Sequence, residues 1–142
     1  MFNVAHIHPM LVHFPIVLIA FGFLAEFVYL FYKKETCLPK VGFFFLTVGT
    51  LAALVTVLSG FLFTQSMEGV AGQVRETHER FAIITFLFAF IAWCLRVYLL
   101  RQKKEMPTLN MLALVFYGLA ALAVFVTGFF GGNLVYNYMM PL

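Results

Sequence analysis

Four apolar runs, each long enough to cross a hydrocarbon core, decide what this chain can become. They cover roughly Met10–Tyr32, Val41–Phe63, Phe81–Leu100 and Leu109–Phe130, and a helix needs about 20 apolar residues to span lipid. A backbone in lipid has no water to bond with, so such runs fold as helices. The joins are short: Lys33–Lys40, Gln65–Glu79 and Arg101–Pro107. Short joins make sequential helices antiparallel neighbours. The sequence therefore predicts an all-α, integral membrane four-helix bundle with up-down-up-down topology, one transmembrane domain over residues 1–142. Composition agrees, since a chain that is 63% hydrophobic and 11% charged carries more apolar surface than a water-soluble domain of this length can bury.

Charge orients the bundle. Lys33, Lys34, Lys40, Arg96, Arg101, Lys103 and Lys104 fall at one end, and Arg75 and Arg80 at the other. Positive charge concentrates on the cytoplasmic side, so both termini and the Gln65–Glu79 join are expected outside. Met1–Ala5 contains no Lys or Arg, and the run after it is too long for a signal-peptide core. It reads as a retained first span.

Several function classes drop out. The basic residues cluster in two loops rather than on a face, so nucleic acid is not an expected partner. Cys37 and Cys94 lack CxxC or CxxCH spacing, which argues against a redox dithiol and covalent haem attachment. No nucleophile elbow, phosphate loop or pair of intramembrane carboxylates points to an enzyme. Four helices with one buried acid offer little polar pathway for a transporter.

What remains is histidine. His6, His8, His13 and His78 all fall on the outer side, although the spans are defined by hydropathy alone. An ionisable group at a span is expensive in lipid and points to function. His13 lies about a turn inside the first span, and His78 just before the third. Antiparallel packing puts both at one face, where they are candidates for the two axial ligands of one haem b. His13 is deeper than His78 by roughly 5–8 Å at the helical rise, so His8, further out on the same segment, is the alternative ligand. Pro15 has no N–H to offer the Leu11 carbonyl, and a kink is expected around His13.

Small residues recur at helical spacing beside these histidines. The stripes are Gly42, Gly49, Ala53, Thr56 and Gly60 in the second span; His78, Ala82, Thr85, Ala89, Ala92 and Arg96 in the third; and Gly118, Ala121, Phe125, Gly128 and Gly132 in the fourth. Such stripes bring helices close or leave room for a flat cofactor beside Gly60, Ala82, Gly128 and Gly132. Gly131-Gly132 is a candidate helix stop. Arg75 and Arg80 can pair with haem propionates, or sit at headgroup level beside Glu76 and Glu79. Glu26, the single acid within a span, has a depth similar to Arg96 and is a candidate for an ion pair with it.

The stretch His8-Pro9-Met10-Leu11-Val12-His13-Phe14-Pro15 resembles an HPxxVHFP signature that opens a family of small bacterial four-span membrane proteins of unknown function. Ser59-Gly60, His78 and Gly128–Tyr136 match its later landmarks, so the resemblance covers nearly the whole chain. The family is more distantly similar to four-helix b-type cytochromes. The resemblance implies a bacterial inner-membrane protein with haem b, exchanging electrons with a quinol or a periplasmic partner, alone, as a homo-oligomer or within a larger membrane complex. Many such cytochromes stack two haems, but here no histidine lies near the inner side. Two other readings stay open. The histidines can serve packing alone in a structural or assembly subunit. His6, His8 and Met10, with Met139 and Met140 on the same side, would suit copper, or a zinc site.

Overall fold

The computed structural model describes residues 7–102 and 106–138. Five α-helices form four candidate membrane spans, and the described residues contain no strand. Helix α1 (Ile7–Leu11) and α2 (His13–Tyr29) make the first, α3 (Leu38–Phe63) the second, α4 (Gly69–Arg101) the third and α5 (Pro107–Tyr138) the fourth. Helices α2 and α3 pack tightly, as do α4 and α5, and the two pairs join through α3–α4 and α2–α5.

The first span loses a backbone hydrogen bond where proline requires it, while Val12 keeps helical backbone angles and bonds to the His8 carbonyl at 3.2 Å. Val12 lies outside both helices, and Pro15, buried in the first turn of α2, leaves the Leu11 carbonyl without its helical donor. The Thr56 hydroxyl of α3 lies 3.5 Å from that carbonyl, a long contact that faces the orphaned acceptor.

Two helix bounds differ from those expected from hydropathy. Helix α4 starts at Gly69 rather than near Phe81, so most of the Gln65–Glu79 join is helical. Its first turns carry charge, which lowers hydropathy without opposing the helix. Arg75–Glu79 and Glu76–Arg80 form i,i+4 ion pairs at 2.6 Å each, the spacing that supports a helix. Helix α5 runs on to Tyr138, and Gly131-Gly132 does not end it. Leu134 is buried and Asn137 bonds back to Asn133, so the last turns are held from inside and outside.

The small-residue stripes pack the bundle. Thr85, Ala89 and Ala92 are the buried residues of α4, and Gly42, Gly49, Ala53 and Thr56 are buried along α3. In α5 the stripe is rotated from the expected one. Phe125 is exposed, and Tyr117, Ala120, Ala121 and Val124 join Ile19, Leu46, Ala53 and Ala89 in the core. Tyr117 turns the seam because its hydroxyl donates to the Gly42 carbonyl of α3 at 3.1 Å. A buried phenol needs such a partner.

One polar network ties the end of the bundle where α2 stops and α3 begins. Glu26 of α2, 4% exposed, is bridged by Arg96 of α4, and Arg96 also donates to Asn110 of α5 at 2.9 Å. Gly42 of α3 lies against the Glu26 side chain, where an added Cβ would fall 2.4 Å from Cγ. All four spans thus meet at one ion pair. Replacing Arg96 by Met is expected to destabilise the bundle in detergent by about 3 kcal/mol, the cost of a buried charge without its partner. The Glu26→Gln, Arg96→Met double variant should recover most of that loss, as measured by denaturant unfolding.

Candidate functional site

The end of the bundle where α1 and the start of α4 meet holds a cavity of about 310 Å³ between the first span and helices α3, α4 and α5. Its walls are apolar and small, with Ile16, Ala53, Gly60, Ala82, Val124 and Gly128 among them. The polar groups that reach it are few: His8, His13, His78, Arg75, Glu79 and hydroxyls of α3, α4 and α5. That composition is typical of a ligand cleft, although 310 Å³ is near the lower end of the usual range.

Two imidazoles meet there. His8, the second residue of α1, and His78, about two and a half turns into α4, have ring centroids 6.2 Å apart with planes at 86°. Each ring is held by a facing helix. His78 Nδ1 lies 2.9 Å from the Thr127 carbonyl of α5. A carbonyl only accepts, so His78 carries its proton on Nδ1, and Nε2 bears the lone pair. His8 Nδ1 lies 2.9 Å from the Ser59 hydroxyl of α3. That hydroxyl has one proton, which it donates to the Thr56 carbonyl at 2.8 Å. Ser59 can therefore accept from His8 Nδ1–H, an arrangement that would give His8 the same tautomer as His78. That arrangement leaves both histidines with a basic Nε2 in a low-polarity cavity.

Two glycines seat the rings. A Cβ at Gly60 would lie 3.1 Å from His8 Cε1, and one at Gly131 would lie 2.9 Å from His78 Cε1. Each imidazole thus rests on bare helix backbone beside its hydrogen-bond partner: Ser59 next to Gly60, and Thr127 one turn from Gly131.

The residues singled out from sequence divide as follows. His8 and His78 come together, while His13, the first residue of α2, is exposed and lines the cavity wall. Helix α1 carries His8 to the level of His78, because α4 begins earlier than hydropathy indicates. Gly60, Ala82, Gly128 and Gly132 line the cavity. Arg75 lines it too, bonded to Glu79 and to the Thr64 hydroxyl at 3.2 Å. Arg80 does not line it and is exposed in its pair with Glu76. His6, Met139 and Met140 lie outside the described residues. Among the described residues no group of three or more His, Cys, Asp or Glu side chains could hold a metal ion. Sequence reasoning missed the roles of Gly131 and Thr127, and noted Ser59 only as a neighbour of Gly60. The spacing of Thr127 and Gly131, i and i+4 on one helix face, is the signal that was available.

The glycines give a contrast that a melting curve in detergent can read. Gly132 has nothing near its missing Cβ, so Gly132→Ala is expected to be neutral or stabilising by up to about 1 kcal/mol through helix propensity. Gly131→Ala must push His78 from its seat and should melt below wild type.

No curated protein and no solved structure matches the chain. A family model described as a predicted membrane protein does match, over residues 5–141. With nearly the whole chain covered, the protein belongs to that membrane family, DUF2231.

Proposed function

We propose that this protein is a b-type haem protein of the membrane, holding one haem in the outer cavity between His8 and His78 and passing single electrons there. The observation that carries the reading is the histidine pair. Two imidazoles bound on opposite sides of one metal through bonds of about 2 Å have ring centres on the order of 6 Å apart, and these stand at 6.2 Å. Both are bonded to the protein through Nδ1, which supports a metal bond at Nε2, the arrangement that outer-shell partners impose on a ligating histidine.

The other residues fit the same group. Gly60, Ala82, Gly128 and Gly132 give the cavity walls that carry no bulky side chain, which suits a flat macrocycle. Arg75 lies at the cavity with its guanidinium already shared between Glu79 and Thr64, and Arg is well shaped to receive a carboxylate such as a propionate. A haem held by two imidazoles supplies one-electron chemistry through its iron. The chain's own part is to orient the two nitrogens, keep water away with apolar walls and neutralise acidic groups at the mouth. Under this reading the histidine end faces the periplasm of a bacterial inner membrane, following the Lys and Arg bias. The electron partner there is a quinol or a periplasmic protein.

A purely structural role for the histidines has one specific observation in its favour. His8–Ser59 ties α1 to α3, and His78–Thr127 ties α4 to α5, so both rings join helices without any cofactor. A visible spectrum separates the readings. Protein purified in mild detergent from haem-replete cells should show a Soret band, with α and β bands that sharpen on dithionite reduction. His8→Ala and His78→Ala should each remove the low-spin spectrum, while His13→Ala keeps it. Arg75→Ala should retain the spectrum and lose haem several-fold faster to a competing apo-globin. A colourless wild-type protein would leave the structural role or a copper or zinc site, and metal analysis of the purified protein would separate those two.

A further inference from the structure

We infer that Ser59 is a positioning residue that sets which nitrogen of His8 is free, and through it the redox poise of the site; the redox half rests on the haem reading, the tautomer half does not. The two histidines look alike but are held by groups of different kinds. His78 donates to the Thr127 backbone carbonyl, an acceptor that every side chain at position 127 leaves in place. His8 faces a side-chain hydroxyl at 2.9 Å, and that hydroxyl can accept from Nδ1–H while its single proton goes to the Thr56 carbonyl 2.8 Å away. Ser59 is 4% exposed, so the chain from His8 through Ser59 to Thr56 runs with little access for water. Reverse the Ser59 proton and His8 must carry its own proton on Nε2, where it cannot bind a metal.

The neighbouring residue makes the device specific. Gly60 leaves the His8 ring on bare backbone, with a missing Cβ 3.1 Å from Cε1. Ser59 thus supplies the hydrogen bond and Gly60 the space, so one dipeptide fixes both the tautomer and the placement of the ring. An acceptor at Nδ1–H also makes the opposite nitrogen more basic, which favours the oxidised state of a bound iron. Losing the acceptor should therefore raise the midpoint potential.

The test uses the full chain labelled with 15N-histidine, produced in a host that cannot make haem, in detergent micelles. A two-bond 1H–15N correlation spectrum distinguishes the tautomers, with His8→Ala and His78→Ala assigning the signals. Wild type should show both rings protonated at Nδ1. Ser59→Ala should give the His8 ring an Nε2–H population and leave His78 unchanged, and Ser59→Thr should keep the wild-type pattern. A wild-type His8 protonated at Nε2, or a Ser59→Ala variant whose His8 stays wholly Nδ1–H, would overturn the inference. In haem-loaded protein, Ser59→Ala should raise the potential and Ser59→Thr should not; an unmoved potential in Ser59→Ala would refute the redox half. A colourless wild type would refute the haem reading, while the spectrum of the haem-free protein still decides the role of Ser59.

Discussion

Inside a bilayer every polar group must find its partner within the protein, because lipid supplies none. The structure of this bundle follows from that constraint. Among the described residues the buried polar side chains are Glu26, Thr50, Thr56, Ser59 and Thr85, with the Tyr117 hydroxyl, and each is bonded; Arg96 Nε is the buried side-chain nitrogen left without a partner. The threonines bond mainly to backbone: Thr50 donates to the Leu46 carbonyl and Thr85 to that of Phe81. These bonds are local and place no helix. The bonds that do cross between helices collect at the two ends of the bundle, and they determine how the spans sit together.

The two ends are built from different chemistry. At one end an ion pair, Glu26 with Arg96, is extended by Asn110, while Tyr117 bonds to Gly42 close by. Charge is matched there, and the result is a clamp. At the end that holds the cavity two imidazoles are each tethered through Nδ1, His8 to Ser59 and His78 to Thr127. Between the ends lies an apolar plug of Ile19, Leu46, Ala53, Ala89, Tyr117, Ala120, Ala121 and Val124. Dispersion between close helices, rather than escape from water, holds such a plug together in lipid, which is why alanine and glycine dominate its seams. The plug lies between the cavity and the ion pair of Glu26 with Arg96.

Hydropathy resolved the spans to within a few residues where the chain is apolar, and failed where helices continue past the apolar part. Helix α4 is the clearest case. Charged residues from Arg75 to Arg80 read as a loop, but their i,i+4 pairing extends the helix and carries His78 on a rigid element. Gly131-Gly132 reads as a stop and instead serves as part of a packed surface. The depth mismatch between His13 and His78 was visible in the sequence, as was His8 as an alternative. Choosing between them required the packing of the first span against α4, which sets the His8 ring beside His78 and leaves His13 exposed.

What the sequence by itself determined is the solvent and the architecture. Four runs of apolar residues with short joins leave a helical bundle as the arrangement that satisfies the backbone in lipid, and small residues at helical spacing mark the faces that meet. The ion pair of Glu26 and Arg96 was also legible, since two opposite charges at similar depth in lipid must seek each other. Only the tertiary structure decided which histidines meet, which nitrogen of each is free and which glycines seat them. Those outcomes depend on the rotation and stagger of one helix against another. A difference of one residue turns a side chain by about 100° around the helix and moves it 1.5 Å along it, and no spacing within a single span fixes its register against a neighbour.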